Sequence, residues 1–263
     1  MGPFEGPQNP QCQACGTPRN PGTFPATGFD PMPAYIPNDV AVFTFDDVPN
    51  GTITTGDLAI LKANNVHADF FTNTMNYQGT DGYPIIQQIV TEGHYVGNHT
   101  MTHPHLPMER NAAAVEAEIS GVETVVNMLT MGMKPHLTRF RAPFGEPFQA
   151  NWPNEADTLV APVVAKYAVE VDWNFDSGDS AGMDPLQQIM ANIATPGQGN
   201  AYGIILMHGV LKVTETDLQG IISYLKTSGF KLATVEDYIC WEYGKHSWDI
   251  VNQLNPGAGR VAN

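Results

Sequence analysis

Basic residues are scarce in this chain of 263 residues: 12 Lys and Arg stand against 27 Asp and Glu, a formal net charge of −15. So acidic a surface excludes nucleic acid and anionic membranes as natural partners and leaves room for neutral or cationic substrates. No apolar run approaches the roughly 18 residues of a membrane span. The opening "MGPFEGPQNP" lacks the apolar stretch of a secretory signal and reads as a mature N-terminus. Cysteine is limited to Cys12, Cys15 and Cys240. The C-x-x-C has no second cysteine pair to complete a zinc site, and it lies in a Pro/Gly-rich stretch rather than beside a βαβ unit, where a redox motif belongs. A disulfide is expected instead, between Cys12 and Cys15 or from one of them to Cys240. With it comes a secreted, extracellular or cell-wall location.

Hydrophobic residues make up 42% of the chain, enough for a sizeable core. Residues 1–38, rich in Pro, Gly and Asn, read as an extended arm, and residues 39–263 as one domain. From residue 39 onward, strand and helix signals alternate. "DVAVFTF", "HADFFTN", "HYVGNH", "LTRFRAPF", "KYAVEVDWNFD" and "YGIILMHG" read as strands. "TTGDLAILKANN", with a Thr as N-cap candidate, "DGYPIIQQIVTEG", "DPLQQIMANI" and "VTETDLQGIISYLKTSG" read as helices. The clearest helix is "ERNAAAVEAEISGVETVVNMLTMG", where Val115, Ile119, Val122, Val126 and Leu129 form one stripe. "FKLATVEDYICWEYG" closes the pattern as a strand and a short helix. About seven such units joined by short links predict a mainly parallel α/β fold, open sheet or barrel.

In such folds functional groups gather beyond the C-terminal ends of the strands. Those ends carry Asp46-Asp47, His99 to His103, Arg141, Asp176 to Asp179, and His208. His99 and His103, four apart, share one face if they lie on a helical turn, within reach of a single ion. With Asp47 they make two imidazoles and a carboxylate, a donor set for Zn²⁺ or another borderline metal that leaves positions open. His105 lies nearby. Two adjacent free carboxylates would raise one another's pKa, so a metal on one and a cation beside the other is expected, with Arg141 as the candidate cation. His208 follows an apolar strand, and Asp176 or Asp179 is placed to bond its ring and favour the protonated, general-acid form.

Five motifs in this order, "TFDD" (44–47), "HTMTH" (99–103), "RAPF" (141–144), "DSGD" (176–179) and "LMH" (206–208), resemble those of the polysaccharide deacetylases of carbohydrate esterase family 4. The resemblance covers roughly residues 39–239 and makes 39–263 the catalytic domain. It implies a distorted (β/α) barrel with about seven parallel strands. It implies Asp46 as catalytic base, held by Arg141, and Asp47, His99 and His103 as ligands of one divalent metal, Zn²⁺ foremost, with Co²⁺ or Ni²⁺ as alternatives. It further implies Phe144 as the main-chain N–H donor to the oxyanion, Asp179 as the residue tuning the general acid His208, and Leu206 as lining for the acetyl methyl. Two departures stand out: Val48 replaces the usual Gly after the paired Asp, and Ser180 replaces a Trp that walls the acetyl pocket. Either Trp173 or Trp152 is expected to supply that wall, or the pocket is expected to be more open.

The function expected is metal-dependent removal of N-acetyl groups from a glycan, chitin or chito-oligosaccharide first, by a monomer. Acetylxylan or peptidoglycan deacetylation, hydrolysis of a small cyclic amide or imide on the same fold, and non-catalytic carbohydrate binding are the alternatives. The altered fourth motif motivates the imide reading. Of two glycosylation sequons, Asn50-Gly51-Thr52 is expected to be open and Asn98-His99-Thr100 occluded.

Overall fold

The computed structural model describes residues 39–77, 82–130, 137–149, 155–193 and 203–255. The expected N-terminal arm with Cys12 and Cys15, and Trp152, lie outside them.

The strand β1 (Val40–Val48) is the middle of the sheet and is buried along nearly its whole length. A strand covered on both faces reads as continuous apolar sequence, which is why "VAVF" does not alternate. Seven more strands run parallel to it: β2 (Asp69–Thr72), β3 (Tyr95–Asn98), β4 (Arg139–Phe140), β5 (Val169–Glu170), β6 (Phe175–Asp176), β7 (Gly203–His208) and β8 (Lys231–Ala233). The order β5-β4-β3-β2-β1-β7-β6 places the first strand between an early and a late one, with β8 pairing to the start of β1. The sheet curls with its helices into the expected distorted (β/α) barrel.

The helices are α1 (Gly51–Ala63), α2 (Gly82–Thr91), α3 (Ala112–Leu129), a single turn α4 (Ala161–Val164), α5 (Pro185–Asn192), α6 (Lys212–Thr227), α7 (Val235–Tyr243) and α8 (Ser247–Leu254). On α3 the stripe Val115, Ile119, Val122 and Val126 is buried, and on α6 Leu218, Ile221, Ile222 and Leu225 are. After α2, Gly93 takes the left-handed conformation (φ 84°) that glycine adopts at least cost. Thr234 and Asp237 form a capping box at the start of α7. No described helix is long and apolar enough to cross a membrane.

Three local expectations differ. The helix α1 starts at Gly51, before the expected Thr cap. Thr54 lies inside its first turn, where its hydroxyl accepts the Asn50 N–H (2.7 Å) and donates to the Gly209 carbonyl (2.7 Å), tying α1 to the loop after β7. "KYAVEVDWNFD" forms two separate two-residue strands, β5 and β6. Between them the Val171 and Asp172 carbonyls accept from the Arg141 guanidinium at 2.9 and 3.0 Å, which diverts that stretch from regular pairing. The last helix, α8, was not expected.

At the end of the sheet away from the site, Arg139 is buried and donates from Nη1 to Glu236 Oε2 (2.7 Å), with Nε 3.4 Å from Asp69 Oδ1. Glu236 also accepts the Ser247 N–H (2.7 Å). This charged cluster fastens α7 and α8 to the sheet.

Candidate active site

In a regular strand Asp46 and Asp47 would face opposite sides of the sheet. Between Phe45 and Val48 the β1–β2 register slips: Phe45 pairs Phe70 and Val48 pairs Thr72, so β1 carries one extra residue. Asp47 sits in this bulge with φ 65°, and the bulge turns its carboxylate toward the same space as that of Asp46. A left-handed conformation is costly for a residue with a Cβ. Of the described non-glycine residues, Asp47, Asn65, Thr100, His103 and Phe144 adopt it. All but Asn65 belong to the site.

Asp47 Oδ1 lies 3.7 Å from His99 Nε2 and 3.4 Å from His103 Nε2. One ligand atom from each of these residues fits within 4.8 Å of the others, the spacing of a metal cluster. His99 is buried, and its Nδ1 lies 2.7 Å from the Arg141 carbonyl. That carbonyl can only accept, so Nδ1 carries the proton and Nε2 presents its lone pair to the cluster. Burial, with His103 and Arg141 adding to it, pushes the His99 pKa down to about 3 against the pull of Asp47, so the ring is neutral, as a metal ligand must be. The donor set fits a divalent cation of the Zn²⁺ type.

The two histidines do not meet on a helical turn as expected. Residues 99–103 form a bend with Thr100 (φ 68°) and His103 (φ 56°) left-handed. The bend is held by Glu118 on α3, whose carboxylate accepts the N–H groups of Met101 (2.9 Å) and Thr102 (2.8 Å) and the Thr102 hydroxyl (2.8 Å). Asn73 donates to Asp47 Oδ1 (2.8 Å), and Asn76 bonds the Asp47 carbonyl. Sequence reasoning missed Glu118, Asn73 and Asn76, since a solvent-facing Glu on an amphipathic helix and Asn residues after a strand carry no signal of their own.

Arg141 is fully buried and donates from Nη1 to Asp46 Oδ1 and to the Thr44 hydroxyl, both at 2.8 Å. The expected Arg–Asp pair is therefore present. Burial still raises the Asp46 pKa, with the guanidinium acting against it. Across β1 and β7, Asp46 is the direct partner of His208, so in parallel register the two side chains share a side. His208 Nδ1 bonds Asp179 Oδ1 at 2.8 Å, whereas Asp176 is exposed and accepts from Gly178 N–H. Burial alone would lower the His208 pKa. The Asp179 bond and the charges of Asp46, Asp179 and Asp47 raise it to about 9, so the ring is cationic at neutral pH.

These groups open on a cleft of about 510 Å³, also lined by Phe144, Trp173, Leu206 and Ser180. Trp173 reaches over Gly145, where a Cβ would stand 2.9 Å from its ring. It lines the cleft together with Ser180. Val48 is buried against the loop after β7, and a Cβ on Gly209 would stand 2.6 Å from Val48 Cγ1. His105 stays out of the donor cluster and pairs with Glu146 (2.8 Å). Asn98 is buried and donates to the Ile119 carbonyl, so its sequon is occluded, while Asn50 is exposed.

A curled parallel sheet thus gathers a His/His/Asp cluster, an arginine-held carboxylate and an Asp–His pair at one end, where barrel enzymes place their active sites. The model of the polysaccharide deacetylase family matches residues 36–163, which include Asp46 to Phe144 and stop short of Asp179 and His208. Over 210 residues the chain is 31% identical to a peptidoglycan-N-acetylglucosamine deacetylase of Bacillus cereus, covering 76% of this chain and 68% of that protein. A chitooligosaccharide deacetylase of Rhizobium leguminosarum bv. trifolii is 29% identical over 209 residues, 73% of this chain and 88% of that one. Among solved structures, a family 4 carbohydrate esterase from Streptomyces lividans in complex with acetate superposes with a TM-score of 0.61 at 26% identity, over 77% of this chain and 95% of that chain. The chain belongs to the polysaccharide deacetylase family, carbohydrate esterase family 4.

Proposed function

We propose that the chain hydrolyses the N-acetyl group of N-acetylglucosamine units in a glycan, chitin or chito-oligosaccharide first, with Asp47, His99 and His103 holding one divalent cation, Zn²⁺ foremost. Such a cation would polarise the acetyl carbonyl and acidify a water. Asp46 takes the proton of the attacking water, and Arg141 fixes the carboxylate oxygen that does not. As the water oxygen bonds to the carbonyl carbon, the Phe144 N–H donates to the oxygen on which charge develops. His208 gives its proton to the nitrogen as the C–N bond breaks, because an amide anion is a poor leaving group; acetate and a free amine result. Asp179 keeps His208 cationic, and Leu206 and Trp173 enclose the methyl group.

The observation that carries this reading is the pairing of Asp46 with His208 across adjacent strands, one carboxylate fastened to Arg141 and one imidazole cationic, beside the donor cluster. Acetate release from chito-oligosaccharides by the metal-loaded wild type, lost in Asp46→Asn with metal content unchanged, is the result expected. Full activity in that variant overturns the assignment. Peptidoglycan is the second reading, favoured by the B. cereus relative; the net charge of −15, which attracts partly deacetylated cationic chains, favours chitin. Acetate release from the two polymers side by side separates them. A secreted or cell-wall monomer, with Cys240 paired to Cys12 or Cys15, completes the proposal.

A further inference from the structure

We propose that the exposed face of the Phe144 ring, buttressed by His105, is a shelf for the pyranose ring next to the N-acetylated unit being processed. The inference rests on the glycan reading above. Phe144 is 52% exposed, unusual for so large an apolar side chain, and it lines the cleft. Its backbone is held left-handed at φ 60°, within a 3₁₀ turn (Pro143–Gly145). The ring is fixed from behind: His105 stacks on it at 4.2 Å between centroids and 12° between planes. His105 is itself pinned by Glu146, two residues beyond Phe144. His103 of the donor cluster meets the Phe144 ring nearly at right angles, centroids 4.6 Å apart. The shelf is therefore continuous with the reacting centre and reaches outward from it.

A pyranose has one face of C–H groups and a rim of hydroxyls. An aromatic face, negative at its centre, attracts polarised C–H groups and buries apolar area without demanding hydrogen bonds. A ring locked by stacking loses little side-chain entropy when the sugar arrives. The occupant is thus a neutral sugar of the same chain, one unit from the reacting N-acetyl group. His105 acts as a positioning residue, touching Phe144 rather than the sugar's acetyl group.

The test uses the metal-loaded Asp46→Asn chain, titrated by calorimetry with N-acetylglucosamine and with its β-1,4 tetramer. Adding His105→Ala should weaken the tetramer roughly three- to tenfold and leave the monosaccharide unchanged, with His105→Tyr restoring the tetramer. Equal tetramer affinity with and without His105 overturns the shelf. Independently of the folding of the His105 variants, saturation-transfer NMR on the Asp46→Asn chain should show strong transfer to ring C–H protons of a unit other than the one carrying the engaged acetyl methyl. Transfer confined to one sugar unit also overturns it. A wild type that releases no acetate yet binds the tetramer in a His105-dependent way sinks the deacetylase reading and leaves the shelf standing.

Discussion

His208 and Asp179 are joined twice: the ring Nδ1 lies 2.8 Å from Asp179 Oδ1, and the His208 backbone N–H donates to Oδ2 at 2.7 Å. The same Oδ2 accepts the Thr214 hydroxyl at 2.6 Å. Burial works against the carboxylate, but these bonds hold the Asp179 pKa below its usual value. The imidazole thus faces a permanent anion in one fixed orientation.

The first prediction follows from that pair. With a pKa near 9, raised from 6.5, His208 is protonated below that pH and loses its proton as pH rises through it. With His208 as the proposed acid, kcat should hold through neutral pH and fall above about 9. In Asp179→Asn the basic limb should move down by roughly one to three pH units. A pH–rate profile checks it; an unmoved limb refutes it.

Metal removal gives the second. Chelation should abolish acetate release, and Zn²⁺ should restore it. Zn²⁺ should also raise the wild-type Tm, by mass action on the folded state alone, and this rise should vanish in His103→Ala. Scanning fluorimetry with and without metal reads both proteins.

Glu118 yields the third. It touches no donor atom, yet it holds the bend that presents His103. Glu118→Gln should lower metal affinity roughly 10- to 100-fold, the usual cost of losing an outer support. At saturating metal the kcat should stay close to wild type. A metal-titration curve superimposable on that of the wild type would rule this out.

Asp57 supplies the fourth. It is fully buried on α1, and neither carboxylate oxygen has a partner among the described residues. Burial, with Glu215 and Asp179 adding to it, pushes its pKa from 3.8 to about 8. A raised acid pKa means that folding is unpenalised below the unfolded value and loses stability as pH climbs toward 8. At pH 7 the cost is on the order of 4 kcal/mol. Asp57→Asn should therefore flatten the fall of stability between pH 4 and 8, followed by urea denaturation. An unchanged slope would place the titrating group elsewhere.

The site was legible in the sequence wherever a residue's chemistry and its place at a strand end coincided. Asp46, Asp47, His99, His103 and His208 line one cleft, with Arg141 and Asp179 bonded behind Asp46 and His208, and the apolar runs of β1 and β7 marked the strands that carry three of them. The means of convergence was not legible. A bulge at Asp47 and left-handed turns at Thr100 and His103 are backbone choices that glycine would have advertised and these side chains conceal. Short strands were over-read: "LTRFRAPF" and "KYAVEVDWNFD" look apolar and β-branched, but Arg141 claims the carbonyls that regular pairing would use. Supports such as Glu118 depend on distant pairings that no local pattern encodes.

The centre of the sheet has a consequence for how the molecule comes into being. The Thr44 hydroxyl on β1 donates to the Ile205 carbonyl on β7, 161 residues away in the chain. During synthesis the donor cluster emerges long before the strand that carries His208, so one flank of β1 must wait. Contacts of such separation are slow to form, because the intervening chain must be ordered first. Docking of β7 beside β1 aligns His208 with Asp46 in the same step. Asp46 and His208, the proposed base and acid, meet only after β7 has been made, and a nascent copy that ends before β7 carries Asp47, His99 and His103 without His208.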